Sequence, residues 1–179
     1  MPIPRQKTPP LRLDTLSHDP FDLDQETAER GTLLVFYRGL HCPICARYLK
    51  ELDSHVPAFA ERGFATVAIT ADGRERTQRM AERVEAANDL RFAYGLTLAA
   101  AKDWGLWLST SRGTTSIGVE EPAVFPEPGL FLVRPDRTLY FASIQTMPFA
   151  RPPIASFVPA LDFVIEKDYP ARGEYTGPV

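Results

Sequence analysis

Two apolar runs, each long enough for a strand buried on both faces, flank a stretch whose apolar residues recur at helical spacing. The runs are Thr32-Leu33-Leu34-Val35-Phe36-Tyr37 and Phe64-Ala65-Thr66-Val67-Ala68-Ile69-Thr70. Continuous rather than alternating apolar character marks strands covered by helices on both sides of a parallel sheet. From Pro43 onward Ile44, Tyr48, Leu52, Val56 and Phe59 line one helical face, while Arg47, Lys50, Glu51 and Glu61 fall largely outside it. Pro57 is expected to kink this helix or end it early. Strand, helix, strand forms a right-handed βαβ unit, so an α/β fold around a central sheet is predicted.

The rest of the chain fits that frame. Asp72-Gly73 reads as a turn with no chemistry assigned, and Arg74 to Asn88, with Met80, Val84 and Ala87 in helical register, as an amphipathic helix. Phe92-Ala93-Tyr94 is a short strand, and Thr97 to Leu108 a third helix ending among Trp104, Gly105 and Trp107, the two tryptophans being core or interface aromatics. Ser109 to Pro128 reads as a long irregular loop. Gly129–Val133 and Thr138–Ala142, joined by Arg134-Pro135-Asp136-Arg137, form an antiparallel hairpin. Ile154, Phe157, Val158, Leu161 and Val164 or Ile165 line a last helix. Residues 1–10, with four prolines, are expected as a flexible N-terminal segment, 11–167 as the domain and 168–179 as a loose tail.

Composition narrows the function classes. Twenty Lys+Arg against 23 Asp+Glu, dispersed along 179 residues, give a net charge of −3 and no basic footprint for nucleic acid. No run approaches the roughly 18 to 20 apolar residues of a membrane span, and the first ten residues lack a signal-peptide core, so a cytoplasmic protein without membrane partners is expected. Two cysteines are too few for a disulfide framework, and they sit close together as Cys42-Pro43-Ile44-Cys45.

That pair lies at the junction of the first strand and the first helix, within Phe36-Tyr37-Arg38-Gly39-Leu40-His41-Cys42-Pro43-Ile44-Cys45. Pro43 suits the first helical turn, which puts Cys42 at the N-cap and Cys45 one turn in on the same side. Unpaired N–H groups and the positive end of the helix dipole favour a thiolate on Cys42, ionised and open to incoming reactants. His41 reads either as a surface residue or as a source of positive potential, and Arg38 as a salt-bridged strand-end residue or a group near the thiolate. A closed metal site needs about four Cys or His ligands; His18 and His55 are the only remaining candidates beside His41, and His55 reads as a helix-surface residue. Haem attachment fails because Ala46 follows Cys45. No cofactor or metal is expected.

The Cys-x-x-Cys junction resembles the site of thioredoxin-fold proteins, and Phe-Tyr-Arg-Gly-x-x-Cys-Pro-x-Cys resembles a peroxiredoxin-like branch of the AhpC/TSA superfamily, over roughly residues 11–167. The resemblance implies a thioredoxin-like fold, a central mixed β-sheet flanked by helices, and identifies Pro128 as the proline that such proteins hold in cis against the dithiol. Two departures accompany it. The family's hydroxyl residue and proline before the nucleophile correspond to Gly39 and Val35, and its arginine ahead of the hairpin strand corresponds to Pro128, so groups that polarise a peroxide are missing. A thiol-disulfide oxidoreductase with an antioxidant role is therefore expected, Cys42 being the nucleophile and Cys45 the resolving thiol. A peroxiredoxin-like peroxidase, with Arg38 replacing the missing arginine, and a non-catalytic redox sensor are the alternatives. The partners expected are a disulfide-containing protein, a small thiol or a hydroperoxide, together with an external thiol reductant; a homodimer through exposed aromatics is left open.

Overall fold

The computed structural model describes residues 1–179. Its central strands are the two apolar runs: β3 (Gly31–Phe36) and β4 (Phe64–Ile69) pair in parallel, with Phe36 opposite Ile69, and α1 (Pro43–Glu61) crosses between them. Earlier in the chain lie β1 (Arg12–Thr15) and β2 (Phe21–Asp22), and after β4 come α2 (Arg74–Val84), β5 (Arg91–Tyr94), α3 (Leu98–Asp103), β6 (Leu108–Thr110), β7 (Val124–Pro126), β8 (Gly129–Val133), β9 (Leu139–Ile144) and α4 (Phe157–Lys167). Seven strands form one sheet in the order β2-β1-β5-β4-β3-β8-β9, while β6 and β7 make a separate two-stranded ribbon. β5 is parallel to β4, and β1 and β8 run antiparallel to their neighbours β5 and β3, so the sheet is mixed.

The alternation of side chains along β3 explains its unbroken apolar run. Leu33, Val35 and Tyr37 pack with Cys45, Leu49, Leu52 and Phe59 of α1, Met80 and Val84 of α2 and Leu161 of α4. Leu34 and Phe36 point the other way, with Val67, Ile69, Phe131 and Trp104. Phe131 meets Phe36 and Trp104 edge to face and Phe36 meets Trp104 at a tilt, with ring centroids 5.0–5.6 Å apart. Each such side chain, fully removed from water, contributes roughly 1.5–3 kcal/mol.

Several boundaries differ from the sequence reading for identifiable reasons. The buried face of α1 is Cys45, Ala46, Leu49, Leu52, Asp53 and Phe59, one position round from the expected stripe, which leaves Ile44 and Tyr48 on its margin. Asp53 is buried because its carboxylate accepts from the N–H groups of Ala87 and Asn88 and from the Asn88 amide at 2.9–3.2 Å. The same contact stops α2 at Val84, with Glu85 left-handed and Ala87 outside the helix. α1 continues through Pro57 to Glu61 rather than ending early; only one turn follows the proline, so a single lost hydrogen bond is tolerated. α3 is much shorter than expected, since Gly105 takes φ +78° and Leu108 already belongs to β6. The stretch read as irregular thus contains a ribbon, with Leu108 opposite Pro126. The first ten residues, expected to be flexible, run beside β9, where the Arg5 and Leu139 N–H groups bond to Leu139 and Gln6 carbonyls at 2.8 and 2.9 Å. Arg5 Nε also donates to the carbonyl of the buried Ala171 in the tail at 2.9 Å.

Candidate active site

Beyond β3 the chain turns through Tyr37-Arg38-Gly39-Leu40-His41 into α1, and a buried carboxylate shapes that turn. Asp72, in the loop after β4, accepts from the Leu40 N–H at 2.7 Å and from Arg76 Nε at 2.9 Å. Arg83 donates to the Leu40 carbonyl at 2.8 Å, and the Cys42 N–H to the Gly39 carbonyl at 3.1 Å. Gly39 has φ +134°, and a Cβ there would lie 2.6 Å from an Asp72 carboxylate oxygen. The space is filled and the backbone conformation is one that side-chain-bearing residues avoid. This accounts physically for glycine at the position where the resemblance places a hydroxyl residue. Asp72, read from sequence as a turn residue, is in fact what holds the loop ahead of the cysteines.

Cys42 is the N-cap of α1 and Pro43 opens its first turn, where a missing N–H is harmless. The Cys45 N–H donates to Cys42 Sγ at 3.2 Å, and the two residues form a disulfide with their Cα atoms 5.2 Å apart. Both are closed off: Cys42 is 2% exposed and Cys45 0%. The expectation of an open thiolate is corrected accordingly. The apolar face of α1 packs down on the sheet and carries both sulfurs with it.

Of the readings left open for the two polar neighbours, the structure takes the salt-bridged one for Arg38 and neither the surface nor the cationic one for His41. His41 is buried against the Phe125 ring at 4.6 Å, and burial, reinforced by the Arg38 charge, lowers its pKa to about 4, so it is uncharged at neutral pH. Arg38 lies 3.3 Å from Glu121 and 3.5 Å from Glu127, with its guanidinium over Phe125 at 4.7 Å. Its charge is therefore neutralised by two carboxylates, one of which, Glu127, also accepts from Ser109 Oγ at 2.6 Å. These groups line a cleft of about 600 Å³ with Met147, Pro148 and Phe149.

The cation that does reach the disulfide is Arg151, whose Nη2 is 3.0 Å from Cys45 Sγ. Its partner lies 106 residues away in sequence, and no local motif announces it. A further correction concerns Pro128. It is buried, but no peptide bond in the chain is cis. Glu127 and Pro128 link β7 to β8, with the Glu127 N–H on the Trp107 carbonyl at 2.7 Å and the Pro128 carbonyl receiving the Gln145 N–H at 3.0 Å. Those backbone groups are used within the fold rather than offered to a substrate. Pro128 still precedes Gly129, which is registered opposite Phe36, at the sheet end that carries the cysteine loop.

His18 pairs with Asp89 at 2.9 Å and His55 faces the Glu51 carbonyl at 2.8 Å, so neither joins the cysteines. No three His, Cys, Asp or Glu side chains gather as a metal site, and no helix is long and apolar enough to cross a membrane.

Similarity to known proteins follows the same architecture. The peroxidoxin BcpB of Mycobacterium tuberculosis superposes with a TM-score of 0.69 at 17% identity, over 92% of this chain and 99% of that one. The reduced 2-Cys peroxiredoxin of Plasmodium vivax gives 0.73 at 14% identity, over 94% and 84%. The AhpC of Enterococcus faecalis gives 0.70 at 14% identity, over 99% and 100%. No curated protein sequence matches the chain significantly. The AhpC/TSA family model matches residues 4–142. With a redox-capable cysteine pair at the strand–helix junction of a thioredoxin-like sheet, the chain belongs to the AhpC/TSA family and is a thiol-based oxidoreductase.

Proposed function

We propose that the chain catalyses thiol-disulfide exchange through Cys42 and Cys45. The observation that carries this reading is the disulfide formed within the first turn of α1, with Cys42 Sγ held by the Cys45 N–H. In the reduced protein the same N–H and the helix terminus favour a thiolate on Cys42. That thiolate attacks a substrate disulfide, one substrate sulfur leaves as a thiolate, and a mixed disulfide forms on Cys42. Cys45 then attacks Cys42 Sγ, releasing the second substrate thiolate and closing the Cys42–Cys45 bond. The substrate is reduced by two electrons and the cysteine pair is oxidised. An external thiol, such as those abundant in the cytoplasm, returns the pair to its dithiol form.

Because both sulfurs are covered, macromolecular partners require the first turn of α1 to open, whereas small thiols and disulfides need less movement. Turnover tests the reading: with a dithiol donor, the protein should accelerate reduction of a disulfide substrate. The Cys42→Ser variant should fall to the uncatalysed rate, and wild-type activity at that background rate would contradict the proposal.

Peroxide reduction is the second reading, and the burial of Cys42 is what favours it, since a small hydroperoxide fits where a protein disulfide does not. Gly39 and Pro128 count against it, because neither offers a donor side chain to a peroxide oxygen. In Cys45→Ser, sulfenic acid should form with hydrogen peroxide at close to the rate of free cysteine; a rate orders of magnitude higher would favour the peroxidase.

A further inference from the structure

The two sulfurs of the disulfide stand in unequal electrostatic surroundings. Cys42 Sγ accepts a neutral backbone N–H, whereas Cys45 Sγ lies 3.0 Å from a guanidinium nitrogen of Arg151. Arg151 forms no ion pair, in contrast to Arg38. It is fixed by its Nη1 on the Pro148 carbonyl at 2.9 Å and by the Tyr48 ring, 5.0 Å below the guanidinium. Tyr48 in turn donates to the Pro152 carbonyl at 2.7 Å, tying the arginine's own segment to α1. The inaccessible Nε has no acceptor, so the side chain holds donor capacity that the oxidised protein leaves unused. Burial lowers the guanidinium pKa to about 10, and it remains charged at neutral pH.

We propose that Arg151 is the counter-charge for Cys45, so that an incoming thiolate attacks Cys42 and the leaving thiolate is received by Arg151. This rests on the dithiol-exchange reading and assigns its polarity. As the bond from the external sulfur to Cys42 forms, the Cys42–Cys45 bond breaks, and its electron pair stays on Cys45 Sγ. No proton is required at that step, because the guanidinium balances the new charge. A second external thiolate attacks the external sulfur of the mixed disulfide, and Cys42 departs as the thiolate that its helix terminus favours. The external thiols are oxidised to their disulfide and the cysteine pair is reduced. In the opposite direction Arg151 keeps Cys45 ionised for its attack on the mixed disulfide. A leaving thiol of lower pKa leaves faster, and an opposite charge at this distance lowers a thiol pKa by about 1–3 units.

Two measurements test this. Wild-type protein exposed briefly to reduced glutathione, quenched with iodoacetamide and mapped by mass spectrometry should carry glutathione on Cys42 and the alkyl group on Cys45; the reverse placement overturns the proposal. In a Cys42→Ser background, thiolate absorbance against pH should show the Cys45 pKa rising by at least about one unit with Arg151→Met and by less with Arg151→Lys. An unmoved Cys45 pKa also overturns it. Should Arg151→Met not fold, the adduct map and Arg151→Lys still decide. The two readings fail separately. A Cys45 pKa governed by Arg151 in a protein without disulfide turnover supports the counter-charge and defeats exchange; turnover at an unchanged rate in Arg151→Met defeats the counter-charge alone.

Discussion

The loop that enters the dithiol and the segment that covers it are both rich in polar groups, yet they use them in opposite ways. In Tyr37–His41 the charge and the central backbone groups are committed, Arg38 to Glu121 and Glu127 and the Leu40 N–H and carbonyl to Asp72 and Arg83, while His41 sits uncharged beside Phe125 with neither ring nitrogen bonded. In residues 145–153, Arg151 has no carboxylate and turns its guanidinium to Cys45. The residues adjacent to Cys42 in sequence thus build the scaffold, while a residue remote in sequence supplies the charge. Proximity along the chain gives position, and freedom from carboxylate partners gives electrostatic effect.

The contrast can be broken most forcefully at Gly39. Gly39→Thr installs a β-branched residue at a positive φ against the Asp72 carboxylate, and urea unfolding should show a loss of about 3–5 kcal/mol. A loss below about 1 kcal/mol would mean that the entry loop is not rigidly held. The next effect is the pH response of His41, whose folded pKa lies below its ordinary value. Above pH 6.5 both folded and unfolded forms are neutral and nothing is lost. Between pH 6.5 and about 4 the unfolded chain takes up a proton that the folded one refuses, so stability falls with pH and then levels off. The wild type should lose up to about 3 kcal/mol more than His41→Leu over that range in denaturant titrations.

The arginines sharpen the comparison further. Arg151→Met should slow opening of the disulfide by dithiothreitol about three- to tenfold, read by stopped-flow fluorescence. Arg38→Met, whose charge is already neutralised, should move the Cys45 pKa in the Cys42→Ser background by less than about half a unit. A larger shift from Arg38 than from Arg151 would invert the assignment of the two regions.

What the sequence disclosed and what it concealed follow the range of the interactions concerned. The β3–α1–β4 unit was legible because strand burial and helix capping are local, and Cys42-Pro43-Ile44-Cys45 carries its own geometry at a helix start. The apolar stripe of α1 was displaced because the cysteines themselves, rather than Ile44 and Tyr48, face the sheet. Asp72 reads as an ordinary turn residue and Asp53 carries no sequence signal at all; their roles depend on backbone N–H groups brought in by folding, 32 residues away for Leu40 and 34 for Ala87. Pro128 stands in the expected place along the chain, but its peptide bond is trans and the backbone groups around it are bonded to Trp107 and Gln145, contacts that only the folded chain supplies. Arg151 left no local signal, since only the packing of the segment after β9 over α1 brings it to Cys45.

Thiol-disulfide exchange requires Cys42 and Cys45 to act as one reversible two-electron couple. Equilibrating the native protein against graded ratios of reduced to oxidised glutathione, then alkylating and counting thiols by mass spectrometry, tests it most directly. A single transition is expected, in which two thiols appear together and which retraces on reoxidation. Stepwise appearance of the thiols, or a disulfide that resists reduction until the protein unfolds, would contradict it.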